Sequence, residues 1–585
     1  MRSMITLFLS VACAAAGVAG TEWNPREPFL KSLVGGVPAI LKSQDPATGR
    51  FGSQPWICAD QNVLLPLAAA WAIKDPANPY YHDAKLLEAI MAGGDALVAD
   101  QDKNGAWTFR KKDNSTWGQI LMPWTYSRWI RAFQLIKDDM PADRRQRWEK
   151  GLLLGFTGIS KNCLGEVRNI PCHHAMALYC AGVCFNREDW KKQAREFMTK
   201  VAAKQTPAGW WSEHSGPVVA YNFVYVEAFG VYYSMSRDAG VLEALRRSAV
   251  FHGTFIYPNG TIVETVDERN PYEPGTAHGN VGFTFTPVEG NVGFSFTPEG
   301  RGFLQHQFQL RKWSITADEA ASHLLHGETG PAAPIAADSD ERFTVIGDND
   351  AMVLRHKPWF ICLSSFTCEL STARWIQDRQ NFVSVYHDRA GLIVGGGNTK
   401  LQPFWSNFTV GDTTLLQHKP GDENPDFKPK GGLIHMPSAA KLHADKTSPS
   451  LDLTYGAENC RVTVRPLDDK RLTLVCEATS KSGQPVEGHV VFLPHLSTEI
   501  KTDSGKSAKL GEEPMEWSAA DIGAWFDLGP VRVNVPPGAK LVWPKMRHNP
   551  YKKDGSSTLR EARLVLCLPF SSAVTKQEVT VEVTR

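Results

Sequence analysis

Two short segments, about fifty residues apart, hold the side chains best suited to acid–base chemistry. They are Asn169-Ile-Pro-Cys-His-His174 and Gly209-Trp-Trp-Ser-Glu-His-Ser-Gly-Pro-Val-Val-Ala-Tyr221-Asn-Phe-Val-Tyr225. Each opens at a turn, presents polar groups and then enters an apolar, helix-like run. Together they offer an amide, imidazoles (His173, His174, His214), a carboxylate (Glu213) and phenols (Tyr221, Tyr225). Such groups suit elimination next to a carboxylate. One must neutralise the carboxylate so that the neighbouring proton becomes acidic, another must take that proton, and a third must protonate the leaving oxygen. Asn169 can bond the carboxylate without adding charge, while His and Tyr can serve as base and acid. A phenol titrates at roughly 10, so it donates readily at neutral pH and needs cationic neighbours to act as a base. Tyr221 and Tyr225, four apart, share a helix face. The adjacent His173 and His174 cannot both point squarely into one cleft. Elimination of this kind would break the O4 linkage of a uronic-acid polysaccharide.

Other residues could line the same cleft. Gln61 and Asn62 follow the turn at Gly49-Arg-Phe51, Trp117 and Gln119 follow Gly105-Ala-Trp107, and Trp211 lies in the third turn; all suit contacts to sugar. Arg269, in Glu264-Thr-Val-Asp-Glu-Arg-Asn-Pro-Tyr272, can grip a carboxylate or sulfate through its planar fork. Simpler roles compete at every position: a helix cap for Asn169, core packing for the tyrosines, a turn brace for His214 and an ordinary ion pair for Arg269. Arg374–Asn381, much later in the chain, could reach across the cleft, although structural pairing is the simpler reading.

The elements that must position these groups repeat. A glycine closely followed by an aromatic residue recurs at Gly49, Gly105 and Gly209, with a related turn at Gly260. The intervals are close to multiples of about 52 residues, the length of two four- to five-turn helices with their loops. Amphipathic runs at 124–136, 141–154 and 188–201 fill the gaps. Repeated helical hairpins entered by one kind of turn predict an (α/α) toroid, an incomplete barrel with the four turns on one rim; a linear helical solenoid is the alternative. After about residue 325 the texture changes. A Gly/Pro/Ala-rich stretch over 326–340 reads as a linker, and short runs alternating in twos predict an antiparallel β-sandwich over 341–585. The chain is thus expected to be multidomain α+β, with a leader at 1–20 and the toroid at 21–325. A tandem copy, Gly279–Pro287 and Gly290–Pro298, reads as a β-hairpin flap, with a duplication in a tolerant loop as the alternative.

Composition narrows the function classes. At 585 residues, 42% hydrophobic and 21% charged, the chain is globular and long enough for several cores. Its net charge of +1 gives no reason to expect nucleic acid or a membrane surface as partner. The first twenty residues have a basic start, an apolar middle and small residues at the end, which is the pattern of a secretory leader too short to span a bilayer. A secreted or periplasmic protein is expected. The remaining cysteines are too scattered for a disulfide framework.

The arrangement resembles the toroid-plus-sandwich polysaccharide lyases: heparinase II/III-like enzymes, related alginate lyases, and chondroitin and hyaluronate lyases. Those families carry a loop-then-helix motif with Asn and His. About fifty residues later comes an Asp-Gly-aromatic turn, then Glu or His, then Tyr; here Ala208 stands where Asp is usual. The resemblance implies Tyr221 or Tyr225 as the catalytic phenol, His174 as base or carboxylate contact, and Asn169 as neutraliser. It implies an acidic polysaccharide as partner; elimination beside a carboxylate, being proton chemistry, is expected to need no organic cofactor and no redox metal. Related lyases sometimes hold a structural divalent metal in the sandwich, but His387, His418, His435 and His443 fix no site for one. The rival readings are a glycoside hydrolase pairing Glu213 with Asp60 or Asp267, and a carbohydrate-binding protein without activity.

Overall fold

The computed structural model describes residues 22–272, 290–310 and 312–584. Twelve helices come first: α1 (Arg26–Lys42), α2 (Leu64–Ala72), α3 (Ala84–Asp100), α4 (Pro123–Ile136), α5 (Ala142–Asn162), α6 (Asn169–Cys184), α7 (Glu188–Lys204), α8 (Val219–Ser236), α9 (Ala239–Thr254), α10 (Asn291–Phe294), α11 (Pro298–Leu310) and α12 (Ala317–His326). The even-numbered helices pack in a ring, α2 on α4, then α6, α8, α10 and α12, which returns to α2. The odd-numbered ones lie outside, as α7 against α6 and α11 against α9. Position follows from composition. Helices α6 and α8 are apolar almost all round and are buried on nearly every face, whereas α5 and α7 bury one stripe and show charge to solvent.

The recurring turns have one construction. Gly49, Gly105, Gly209 and Gly260 all have left-handed φ, between 71° and 96°. A Cβ at each would strike the next outer helix, at Ala92, Gly155, Arg247 and Leu310 respectively, so only glycine allows the close approach. A glutamine clasps each turn from outside. Gln44, Gln101 and Gln205, at the ends of α1, α3 and α7, donate to the carbonyls of Gly49, Gly105 and Gly209 and to the following outer helix at Ala89, Gly151 and Ala244. The aromatic residue two places after the glycine is buried: Phe51, Trp107 and Trp211. Trp107 and Trp211 donate their indole N–H groups to Leu97 and Val201, on the preceding outer helix.

Beyond His326 the regular structure is almost all strand, in antiparallel sheets of ten and nine strands among the described residues. The ten-stranded sheet is covered on both faces. Along Trp359–Ser364, Phe360 and Cys362 join the core of the helical part, while Trp359, Ile361 and Leu363 join the core between the sheets. Opposite pleats thus enter different cores, which accounts for the unbroken apolar run in that strand. The stretch 326–340 is packed rather than loose: Gly330–Pro331 pairs with Glu22–Trp23, and Ile335, Ala336 and Ala337 are buried.

One expectation needs correction. The second tandem copy, Gly290–Pro298, contains α10 and its following turn rather than a hairpin strand; the first copy, Gly279–Pro287, lies outside the described residues. Gly293 of α10 sits against the Val226 carbonyl of α8, where a side chain would not fit. Burial of Val292 and Phe294 in the ring therefore overrides the alternating pattern.

Candidate active site

The N-terminus of α8 sets the geometry of the site. Buried Asp267, in the loop after the fourth turn, accepts from Val219 N (2.8 Å) in the first turn of α8 and from Arg269 N (2.7 Å) and Asn270 N (2.8 Å) in its own loop. One carboxylate thereby fixes the helix that carries Tyr221 and the loop that carries Arg269. Its neighbour Glu268, also fully buried, accepts from Ser215 N (2.8 Å) and ties the 209–218 loop to the same place. From the sheet side, buried Arg379 donates to Val266 O (3.2 Å) and packs against Gly216.

Within this frame five of the expected residues come together. The Arg269 guanidinium carbon lies 5.2 Å from the centre of the Tyr221 ring. Arg269 Nη2 donates to His214 Nδ1 (3.0 Å), and His214 Nδ1 lies 3.4 Å from Glu268 Oε1. Because a guanidinium can only donate, this contact makes Nδ1 the acceptor and puts the imidazole proton on Nε2. Glu213 accepts from Asn169 Nδ2 (3.3 Å), which joins the start of α6 to the loop before α8. Tyr221 is half-buried and has the Tyr551 phenol as a neighbour. Burial raises the Tyr221 phenol well above its usual value, helped by Tyr551 and opposed by Arg269. The Glu213 carboxyl is also raised, chiefly by burial, against the pull of Arg269 and His214.

The other expected residues lie elsewhere. Tyr225 is buried, stacked on Trp211 at 4.8 Å with an interplanar angle of 12°, so these two rings fill the core beneath the loop. His173 Nε2 meets Ser127 Oγ (3.0 Å) in a polar interior shared with Arg128 and Glu227, and burial holds its pKa well down. His174 donates from Nε2 to Leu121 O (2.6 Å), and burial lowers its pKa to about 4. Gln61 spans the backbone N–H and carbonyl of Phe51, and Asn62 accepts from Thr125. Trp117 is 70% exposed on the hairpin Trp107–Arg110/Thr116–Ile120, stacked on Phe109, and Gln119 bonds Thr108 on the same hairpin.

Two further contributors lie far along the chain: Trp375, within the Arg374–Asn381 stretch read as able to reach across the cleft, and Tyr551, which had no signal in the sequence pattern. Trp375 accepts from Arg269 Nε through its carbonyl (3.0 Å), and its ring lies 5.2 Å from that of Tyr551. Both come from the sheet part of the chain and close over the helix N-termini. Glu268 stood inside the quoted Glu264–Tyr272 stretch, but nothing there distinguished it from a solvated acid. Among the described residues, His387, His418, His435 and His443 bond four separate partners, Asp469, Asp554, Asp378 and Asp452, and do not converge. No helix of the described residues is long and apolar enough to cross a membrane.

A ring of helical hairpins followed by a two-sheet sandwich is the fold of the toroid-plus-sandwich polysaccharide lyases. Heparinase III matches it with a TM-score of 0.53 at 14% identity, over 95% of this chain and 85% of that one. A mutant of the Streptomyces coelicolor chondroitin AC lyase matches with a TM-score of 0.52 at 15% identity, over 97% and 81%. No family model and no curated protein matches the sequence.

Proposed function

We propose that this protein is a polysaccharide lyase that cleaves a uronic-acid polymer by β-elimination. The observation that carries the reading is the linked set Tyr221–Arg269–His214, with Asn169 and Glu213 beside it. Arg269 and the Asn169 amide bind the uronate carboxylate, and Glu213 holds that amide in place by accepting from it. Drawing Arg269 toward substrate frees His214 Nδ1. The half-exposed ring then exchanges its proton through water, points Nδ1–H at Glu268 and leaves Nε2 to accept the C5 proton. Tyr221, kept protonated by its surroundings, donates to the O4 leaving oxygen. His214 replaces His174 as base in this scheme because His174 is buried and its Nε2–H is committed to Leu121.

The heparinase III and chondroitin AC lyase neighbours favour a sulfated, uronate-containing chain as substrate. An extracellular polymer agrees with the leader-like residues 1–20, which lie outside the described residues, and with export to the medium or periplasm. The hydrolase alternative loses its partners: Asp267 is saturated by backbone donors, and Asp60 is bound by Lys112 and the Ile57 N–H. A panel of uronic-acid polysaccharides, followed by the ultraviolet absorbance of a 4,5-unsaturated product, tests the reading. New reducing ends without absorbance would establish hydrolysis instead.

A further inference from the structure

On the face of the ten-stranded sheet turned away from the nine-stranded one, three side chains converge that the elimination reading does not use. His489 on the strand Val486–Phe492 is the register partner of Cys567 on Arg563–Phe570, and Glu487 lies two residues before His489 on the same face. One ligand atom from each lies within 4.8 Å of the other two. His489 is 2% exposed; its Nδ1 meets the Ser406 carbonyl at 2.9 Å, which accepts only, so the proton is on Nδ1 and the Nε2 lone pair is free. Nε2 has no partner within hydrogen-bond reach, and Glu487 Oε2 faces it as an ion-pair neighbour at 3.7 Å. A buried imidazole nitrogen left unpaired between a thiol and a carboxylate calls for an explanation.

We propose that Glu487, His489 and Cys567 bind a thiophilic divalent cation, zinc by the chemistry of the set. Sulfur, imidazole and carboxylate are the ligand types of tetrahedral zinc, whose bonds of about 2.0–2.3 Å place ligand atoms about 3.3–3.8 Å apart. The site closes to that geometry by small side-chain movements. The Ser406 carbonyl acts as the outer-shell acceptor that orients a metal-bound imidazole. Lys540 Nζ holds Glu487 Oε1 at 2.8 Å and leaves Oε2 for the ion. Thiolate and carboxylate balance the charge of the cation, so Lys540 faces a neutral cluster. Phe404 packs over the His489 ring, and the partly exposed Glu487 edge is the way in and the place for a water ligand. The ion ties two strands to the 403–407 turn, and none of its ligands touches Tyr221, Arg269 or His214.

The full chain, stripped with chelator and titrated with zinc or cobalt, should take up one ion. The cobalt form should show thiolate-to-metal charge-transfer absorption. Cys567→Ser, His489→Gln and Glu487→Gln should each weaken binding by at least about tenfold, and Cys567→Ser should abolish the charge-transfer band. Glu487→Gln changes a partly exposed residue without altering its size, so it supplies a folded test if the buried variants do not fold. No uptake by the unsubstituted chain, or uptake that Glu487→Gln leaves unchanged, overturns the assignment. Neither readout uses turnover, so failure here is separate from failure of the lyase reading.

Discussion

Replacing Tyr221 by phenylalanine removes one oxygen and leaves the ring that packs under Arg269. The phenol is only half-buried, so the lost hydrogen bonding should cost folding about 1 kcal/mol. Turnover should suffer far more. If the hydroxyl delivers the proton to O4, its removal should lower kcat on the order of a hundredfold or more, about 2.7 kcal/mol of transition-state stabilisation. KM should stay near that of the unsubstituted protein, because Arg269 and Asn169 still bind the carboxylate. The assay is the absorbance of the unsaturated product on the best polymer of the panel, with urea denaturation as the folding control. Tyr225→Phe is the matched comparison: that ring is stacked on Trp211 in the core and should keep most activity. Because burial and Tyr551 raise the Tyr221 phenol, the loss of rate at high pH should begin only above roughly 10. Full activity in Tyr221→Phe would refute the phenol mechanism. Loss in Tyr225→Phe alone would move the acid one helical turn deeper.

His214→Ala should lower kcat about as severely as Tyr221→Phe, whereas His174→Ala should act mainly on the urea midpoint; the reverse pattern would restore His174 as the base. The pKa of His174 is lowered to about 4 in the folded protein from an ordinary value of roughly 6.5. The unfolded chain therefore binds the extra proton first, and stability should fall as pH drops from about 6.5 to 4, by up to about 1.4 kcal/mol per pH unit for this group. Denaturation midpoints for the unsubstituted protein and His174→Gln over that window check the sign. Asp267→Ala should lower the midpoint and activity together, since it releases the start of α8 and the Arg269 loop; a folded, fully active variant would show that this carboxylate does not position the site. Gly209→Ala, which needs left-handed φ and sets a methyl group against the Arg247 carbonyl, should destabilise by about 2 kcal/mol or more by urea denaturation. Chelation should leave turnover unchanged both in the unsubstituted chain and in Glu487→Gln; loss in both that one divalent ion restores would show that a metal away from Glu487, His489 and Cys567 neutralises the carboxylate.

The residues that come together at the helix N-termini were legible because their cause is local. A turn that only glycine can make, an aromatic residue two places on and polar groups before an apolar run are short-range features, and they repeated. The same pattern marked Asn169, Glu213, His214, Tyr221 and Arg269 as neighbours of such turns. It also marked Trp211, Gln61 and His174, which stand in equally favourable positions but point into the core. A sequence gives the distance of a residue from a turn, not the direction of its side chain once helices pack. The glutamine clasps went unread because each joins a helix end to the following outer helix, dozens of residues away.

The chain by itself determined the two kinds of architecture, since periods of 3.6 and 2 and the spacing of turns are written residue by residue. Only the tertiary structure decided which acids were already spent and which groups were not. Asp267, Asp60 and Glu268 look alike in sequence, yet one binds a helix end, one a lysine and one the loop of His214. Tyr551 and Trp375 reach Tyr221 and Arg269 from the sheet part of the chain, and Glu487, His489 and Cys567 meet only through strand register. Such pairings rest on burial and on contacts between distant segments, and those exist only after the chain has folded.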